Sequence, residues 1–149
     1  DNYSNDYVNA LKTVPKKLLL MYVHAYQSYL WNMAAEKILK KVKADKEGNI
    51  EIPVIGFSTN INGIENSAVK KICLDIMKKE CITERDFIIR QLPEVSAEGK
   101  YRQLFCEVIN FVVVNTEKDE LTQGKKKVIL EFTLPKSSYA TEVIRQMLE

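Results

Sequence analysis

The chain has 149 residues, 46% of them hydrophobic and 28% charged, with a formal net charge of +2. That is the length of one domain with a real core, and the composition excludes a disordered or low-complexity chain. The near-neutral balance gives no bulk-charge argument for nucleic acid, and no apolar run approaches the ~18 residues of a membrane span.

Positions say more than totals. Lys12, Lys16 and Lys17 cluster, as do Lys37, Lys40, Lys41, Lys43 and Lys46, and Lys125–Lys127 are consecutive. Such runs form either a solvated face or a phosphate-tracking patch. Cys73, Cys81 and Cys106 are odd in number and lack C-x-x-C spacing. This predicts three inert thiols in a reducing, intracellular setting, nuclear or cytoplasmic, with neither a disulfide framework nor a zinc site.

In chain order, a short helix is expected from about Ser4 to Lys12, with Ser4 as N-cap. Pro15 then fits at or near the first turn of a long helix from about Lys16 to Val42. In that helix Leu19, Val23, Tyr26, Leu30 and Met33 recur at helical steps, and Tyr22, Tyr29, Ala34 and Ile38 widen the stripe. A helix so broadly apolar should be central to the fold. Its polar residues are few: His24, Ser28 and Asn32 share one face, with Gln27 beside them. Ala44–Asn49 reads as a turn. Ile50–Ile55 alternates as a strand, which Pro53 places at an edge or cuts short. A loop runs from Phe57 to Asn66, followed by a helix from about Glu65 to Lys79. Thr83 is a good N-cap for a second, shorter helix over Glu84–Gln91. Tyr101–Val108, Asn110–Thr116 and Lys126–Leu134 read as strands, the last two forming a hairpin across a charged tip. Ser137 or Ser138 caps a final helix whose stripe is Ala140, Val143, Ile144 and Met147. The fold class is α+β, with a long central helix and mixed or antiparallel strands.

The run HAYQSYLWN (His24–Asn32), approached by VPKKLLLMYV (Val14–Val23), resembles the signature helix of the TruD family of tRNA pseudouridine synthases and their eukaryotic relatives. Three further stretches follow in the family's order: IPVIGF (Ile52–Phe57), EGKYR (Glu98–Arg102) and LEFTLPKSSYATEVIRQMLE (Leu130–Glu149). Two positions depart from the pattern: Ser137 stands where the family has Gly, and Gln146 where it has an acidic residue. The family's nucleophilic Asp motif and its N-[YF]-F-G-x-Q-R-[FY]-G motif have no counterpart in these residues. The resemblance is therefore to the second half of such an enzyme, in its archaeal or eukaryotic form.

The resemblance implies a discontinuous catalytic domain holding an inserted second domain, with RNA in the cleft between them. Residues 1–14 would be a leading segment, 15–127 the inserted (TRUD) domain, and 128–149 a strand and helix returning to the catalytic domain. It implies a cofactor-free isomerisation of uridine to pseudouridine, in tRNA or another RNA, that depends on one Asp carboxylate. None of Asp6, Asp45, Asp75, Asp86 and Asp119 sits in that motif, so no catalytic residue is assigned here and the chain alone is expected to be inactive. No metal site is expected. The expected partners are RNA, tRNA foremost, the missing N-terminal catalytic half, and a second copy of the chain.

Candidate RNA-contacting residues are Lys16, Lys17, His24, Gln27, Ser28, Lys100, Arg102, Lys136, Ser138 and Tyr139. Each has a plainer reading. His24 is equally a hydrogen-bonded core or seam residue. Gln27 and Ser28 can satisfy buried backbone instead. Trp31 and the tyrosines can be core rather than a base-stacking platform. Lys100 and Arg102 suit phosphate contact. Lys136, Ser138 and Tyr139 precede a helix whose N-terminus offers free N–H groups to an anion. Two rival functions stand beside the fragment reading: a stand-alone, non-catalytic RNA- or protein-binding module of the same fold, and a complete small enzyme of another class. The second lacks any catalytic constellation.

Overall fold

A computed structural model describes residues 6–41, 50–136 and 138–148. The expected Ser4 cap, the Ala44–Asn49 turn and the Ser137 cap lie outside them. The chain divides into two compact units, Asp1–Leu104 and Phe105–Glu149.

The first unit opens with α1 (Tyr7–Lys12), capped by Asp6, whose carboxylate accepts from the backbone N–H of Asn9. Helix α2 (Lys16–Lys41) follows. The Pro15 carbonyl accepts from Leu18 and Leu19, so proline stands just outside the first turn, where no N–H is required of it. Gln27, Leu30, Ala34, Ala35 and Ile38 form the buried stripe of α2. The tyrosines expected on that stripe do not join it: Tyr22, Tyr26 and Tyr29 are exposed.

Strand β1 (Glu51–Val54) pairs antiparallel with β2 (Lys100–Gln103), placing Ile52 opposite Arg102 and Val54 opposite Lys100. The strand expected over Tyr101–Val108 is shorter, Lys100–Gln103. One further bond, from the Leu104 N–H to the Ile50 carbonyl, ends the ladder. Helix α3 (Ser67–Lys79) begins at Asn66, whose side chain accepts from the N–H groups of Ala68 and Val69. It stops at Cys81, which takes a left-handed φ of 54° while the Ile82 N–H reaches back to the Met77 carbonyl.

The helix expected over Glu84–Gln91 is instead one 3-10 turn, Glu84–Phe87. Thr83 and Asp86 form its capping box, as Thr83 suggested. Beyond it the backbone finds partners elsewhere: Ile89 N–H donates to the Ser96 hydroxyl, and the Phe87 carbonyl accepts from Ala97. Residues of α2, β1, α3 and the connecting loops share one core, including Leu30, Ile38, Ile52, Ile61, Ile72, Ile76 and Phe87.

The second unit is a hairpin followed by a helix. Strands β3 (Ile109–Lys118) and β4 (Lys126–Thr133) pair antiparallel, as expected. Asn110 takes a φ of 53° where the register shifts, which marks a bulge. Phe111 and Phe132 stack across the strands, and Lys127 is salt-bridged to Glu117 and Glu120 beside the tip. Helix α4 (Ala140–Leu148) closes the unit. The domain boundary expected after Lys127 falls inside this hairpin. The compact units divide at 104/105, because the ladder binds β3 to β4.

Candidate nucleic-acid interface

The geometry is built on two glycines. A Cβ at Gly56 would lie 2.3 Å from the Glu98 carbonyl carbon and 2.4 Å from the Gly99 nitrogen, and one at Gly99 would lie 2.0 Å from Thr59 Oγ1. At Gly56 the loop after β1 therefore meets the backbone of the loop before β2, and at Gly99 the missing side chain makes room for Thr59. Gln27, on α2, ties the two loops together. Its Nε2 donates to the carbonyl of Ile55 at 2.9 Å and to that of Glu98 at 3.0 Å, the residues immediately before the two glycines. Gln27 is 3% exposed. Both amide donors are thus used inside the domain, the backbone-satisfying alternative weighed for it, and none is left to offer RNA.

One turn further along α2, Trp31 Nε1 donates to the Ile52 carbonyl at 3.2 Å. The Arg102 guanidinium carbon lies 5.3 Å from the centre of the Trp31 ring. Ile52 and Arg102 are ladder partners, so one indole holds both members of a cross-strand pair. Lys100 is two residues from Arg102 and therefore on the same face of β2. Both are exposed, and among the described residues neither is in an ion pair.

On the flank of α2 adjoining Gln27 and Trp31 lies a shallow open hollow of about 460 Å³, lined by Lys17, Leu20, Met21, His24, Ala25 and Ser28. These positions recur at helical spacing, so they share a face. His24 is exposed, and Ser28 Oγ donates to the His24 carbonyl, leaving the hydroxyl oxygen able to accept. Lys16 is exposed but does not line the hollow. The opposite flank carries a second hollow of about 300 Å³, lined by Tyr22, Val23, Tyr26, Ile82, Asp86, Phe87 and Ile89. There Tyr26 stacks on Tyr29 and Phe87, and burial, followed by the nearby Glu80, pushes its phenol pKa up.

In the second unit Lys136 and Tyr139 are exposed and Ser138 is half-buried. The Tyr139 carbonyl accepts from Glu142 and Val143, so Tyr139 rather than Ser138 stands at the start of α4.

Three of the aspartates hold local structure. Asp6 and Asp86 cap turns, and both are held below the ordinary carboxylate range chiefly by backbone N–H donors, from Asn9 and Thr83. Asp119 accepts from the Leu121 N–H. Among the described residues no three His, Cys, Asp or Glu side chains converge on a common point, and no helix is long and apolar enough to cross a membrane.

Sequence reasoning missed two features: the glycine contact and the cation–ring contact of Arg102 with Trp31. Both unite residues that are far apart in the chain. The one signal for them was that Gly56, Gly99 and Arg102 all fall in stretches resembling the family.

This α+β arrangement with antiparallel strands is that of part of a solved tRNA pseudouridine synthase D. A crystal structure of a protein so named from Methanosarcina mazei matches with a TM-score of 0.76 at 26% identity, over 95% of this chain and 40% of that one. Relatives named tRNA pseudouridine synthase D come from Methanosarcina acetivorans, 30% identical over 97% of this chain and 41% of their own length, and from Nanoarchaeum equitans, 32% identical over 95% and 37%. The family described as "tRNA pseudouridine synthase D (TruD)" matches residues 1–47 and 33–147. The chain belongs to the TruD family, and it spans about two fifths of the length of these relatives.

Proposed function

We propose that this chain is the RNA-binding portion of a TruD-type pseudouridine synthase that acts on tRNA or another RNA, and that it supplies no catalytic carboxylate. The observation that carries the reading is the exposed pair Lys100 and Arg102, on one face of β2 and without carboxylate partners among the described residues. Arg102 is fixed against α2 by Trp31, on the flank that also bears Lys17, His24 and Ser28. Lysine and arginine so placed meet phosphate oxygens, while the hollow beside His24 and Ser28 offers polar atoms to sugar and base edges. Lys136, Ser138 and Tyr139 are a second contact region, carried by the second unit. The isomerisation breaks the bond from ribose C1′ to uracil N1 and forms one from C1′ to C5; C5 loses its proton and N1 takes one up, so no atom is gained or lost. The carboxylate it depends on comes from the remainder of the enzyme.

The test is binding of an unmodified tRNA transcript across a salt series, with pseudouridine mapping of the same RNA. Binding should be weak and salt-sensitive, and no uridine should be converted. Lys100→Ala with Arg102→Ala should lower the log–log salt slope by about 0.7–0.9 for each phosphate no longer neutralised. Turnover by this chain would overturn the division of labour. An unchanged slope and affinity in the double variant would overturn the placement of the interface.

A further inference from the structure

We propose that Trp31 is a positioning residue for Arg102, holding the guanidinium by its face so that its edge is presented to a phosphodiester. The inference rests on the RNA-binding reading above and deepens it. A guanidinium offers its five N–H donors in its own plane. A carboxylate partner would consume those donors, whereas a ring stacked against the plane leaves them free. Arg102 is exposed, lies 5.3 Å from the Trp31 ring centre, and has no ion pair among the described residues.

The ring is itself held. Its N–H is bonded to the Ile52 carbonyl at 3.2 Å, and Ile52 faces Arg102 across the ladder. The indole therefore cannot turn without breaking a bond to the strand that carries the arginine's partner. A lysine at position 102 would have the charge but no flat face to stack and no fork for two phosphate oxygens.

Trp31 is the only tryptophan, so its fluorescence reports on the stack directly. Acrylamide should quench Trp31 more readily in Arg102→Ala than in the parent chain. Adding an unmodified tRNA transcript should alter the emission of the parent and leave that of Arg102→Ala unchanged. In binding, Trp31→Leu should weaken the complex by about three- to tenfold, the order of one cation–ring interaction. Trp31→Phe keeps a ring, should weaken binding less, and replaces Trp31→Leu if that variant does not fold.

The deciding experiment is the double variant. If Trp31 acts through Arg102, replacing Trp31 in an Arg102→Ala background should change affinity no further. Equal losses of affinity with and without Arg102 would overturn the positioning role while leaving the RNA interface intact. Equal quenching of parent and Arg102→Ala would overturn the stack. Unchanged affinity in Arg102→Ala would overturn Arg102 as a phosphate ligand, and the positioning role with it.

Discussion

Gly56 sits where a side chain has no space. A methyl group there would press on backbone atoms of Glu98 and Gly99 at under 3 Å, and backbone cannot swing aside as a side-chain end can. Gly56→Ala should therefore cost about 3 kcal/mol or more, the upper end of overpacking. Gly124→Ala, at a position with φ of 79° and open space around it, should cost only about 1 kcal/mol. Urea denaturation of both variants checks this, and similar losses of stability would contradict it. The cysteines separate in the same residue-by-residue way. Cys73 is buried and its thiol is pushed up to about 11, while Cys81 and Cys106 are exposed. The three inert thiols expected from spacing are thus one, since spacing does not report burial. Because the folded thiol of Cys73 titrates above the unfolded one, the stability it contributes is complete below the ordinary thiol pKa near 8.5 and is lost as pH rises towards 11. A thiol reagent at pH 8 should label two sites quickly and the third only on unfolding. Three fast sites would refute the burial of Cys73.

At the scale of elements, α2 is half core and half surface. Leu30 is 1% exposed, and Leu30→Ala should cost about 2–5 kcal/mol. Tyr29 is 49% exposed and, among the described residues, stacked only on Tyr26, so Tyr29→Ala should cost at most about 1.5 kcal/mol. Thermal or chemical denaturation that ranked them the other way would move the core to the tyrosine side. Periodicity and Pro15 placed the start of α2 at the observed Lys16, because such signals are local; the end expected at Val42 lies outside the described residues. Periodicity put Tyr22, Tyr26 and Tyr29 in the core because spacing tells which residues share a face, and not what covers that face. The 3-10 turn at Glu84–Phe87 was read as a longer helix for a related reason. Thr83 and Asp86 signal a start, but the stop is made by Ser96 and Ala97, which no local pattern around Ile88 shows.

For the whole molecule, the second unit is the exposed part. Every residue of β3 is exposed, Phe111 at 39% and Val113 at 55%, and two strands alone are marginal in water. Apolar edges of this kind seek a partner. We expect the chain to self-associate through β3 and β4, with the weight-average mass rising across a sedimentation concentration series. Hydrogen exchange on Ile109–Lys118 should slow in parallel. A constant monomer mass would contradict this. The hairpin was legible from two alternating runs around a charged tip.

The amide of Gln27 has a temporal meaning as well as a spatial one. Its two bonds close loops of 28 and 71 residues, so they cannot form until α2, β1 and the start of β2 have met. Such contacts belong late on the folding path. Gln27→Leu should accordingly leave the refolding rate of the first unit nearly unchanged and accelerate its unfolding, read by stopped-flow fluorescence of Trp31. A slowed refolding limb would mean that the meeting of the two loops initiates the fold. In the expected case Gln27 acts as a latch: it adds little to how fast the unit forms and much to how long it lasts.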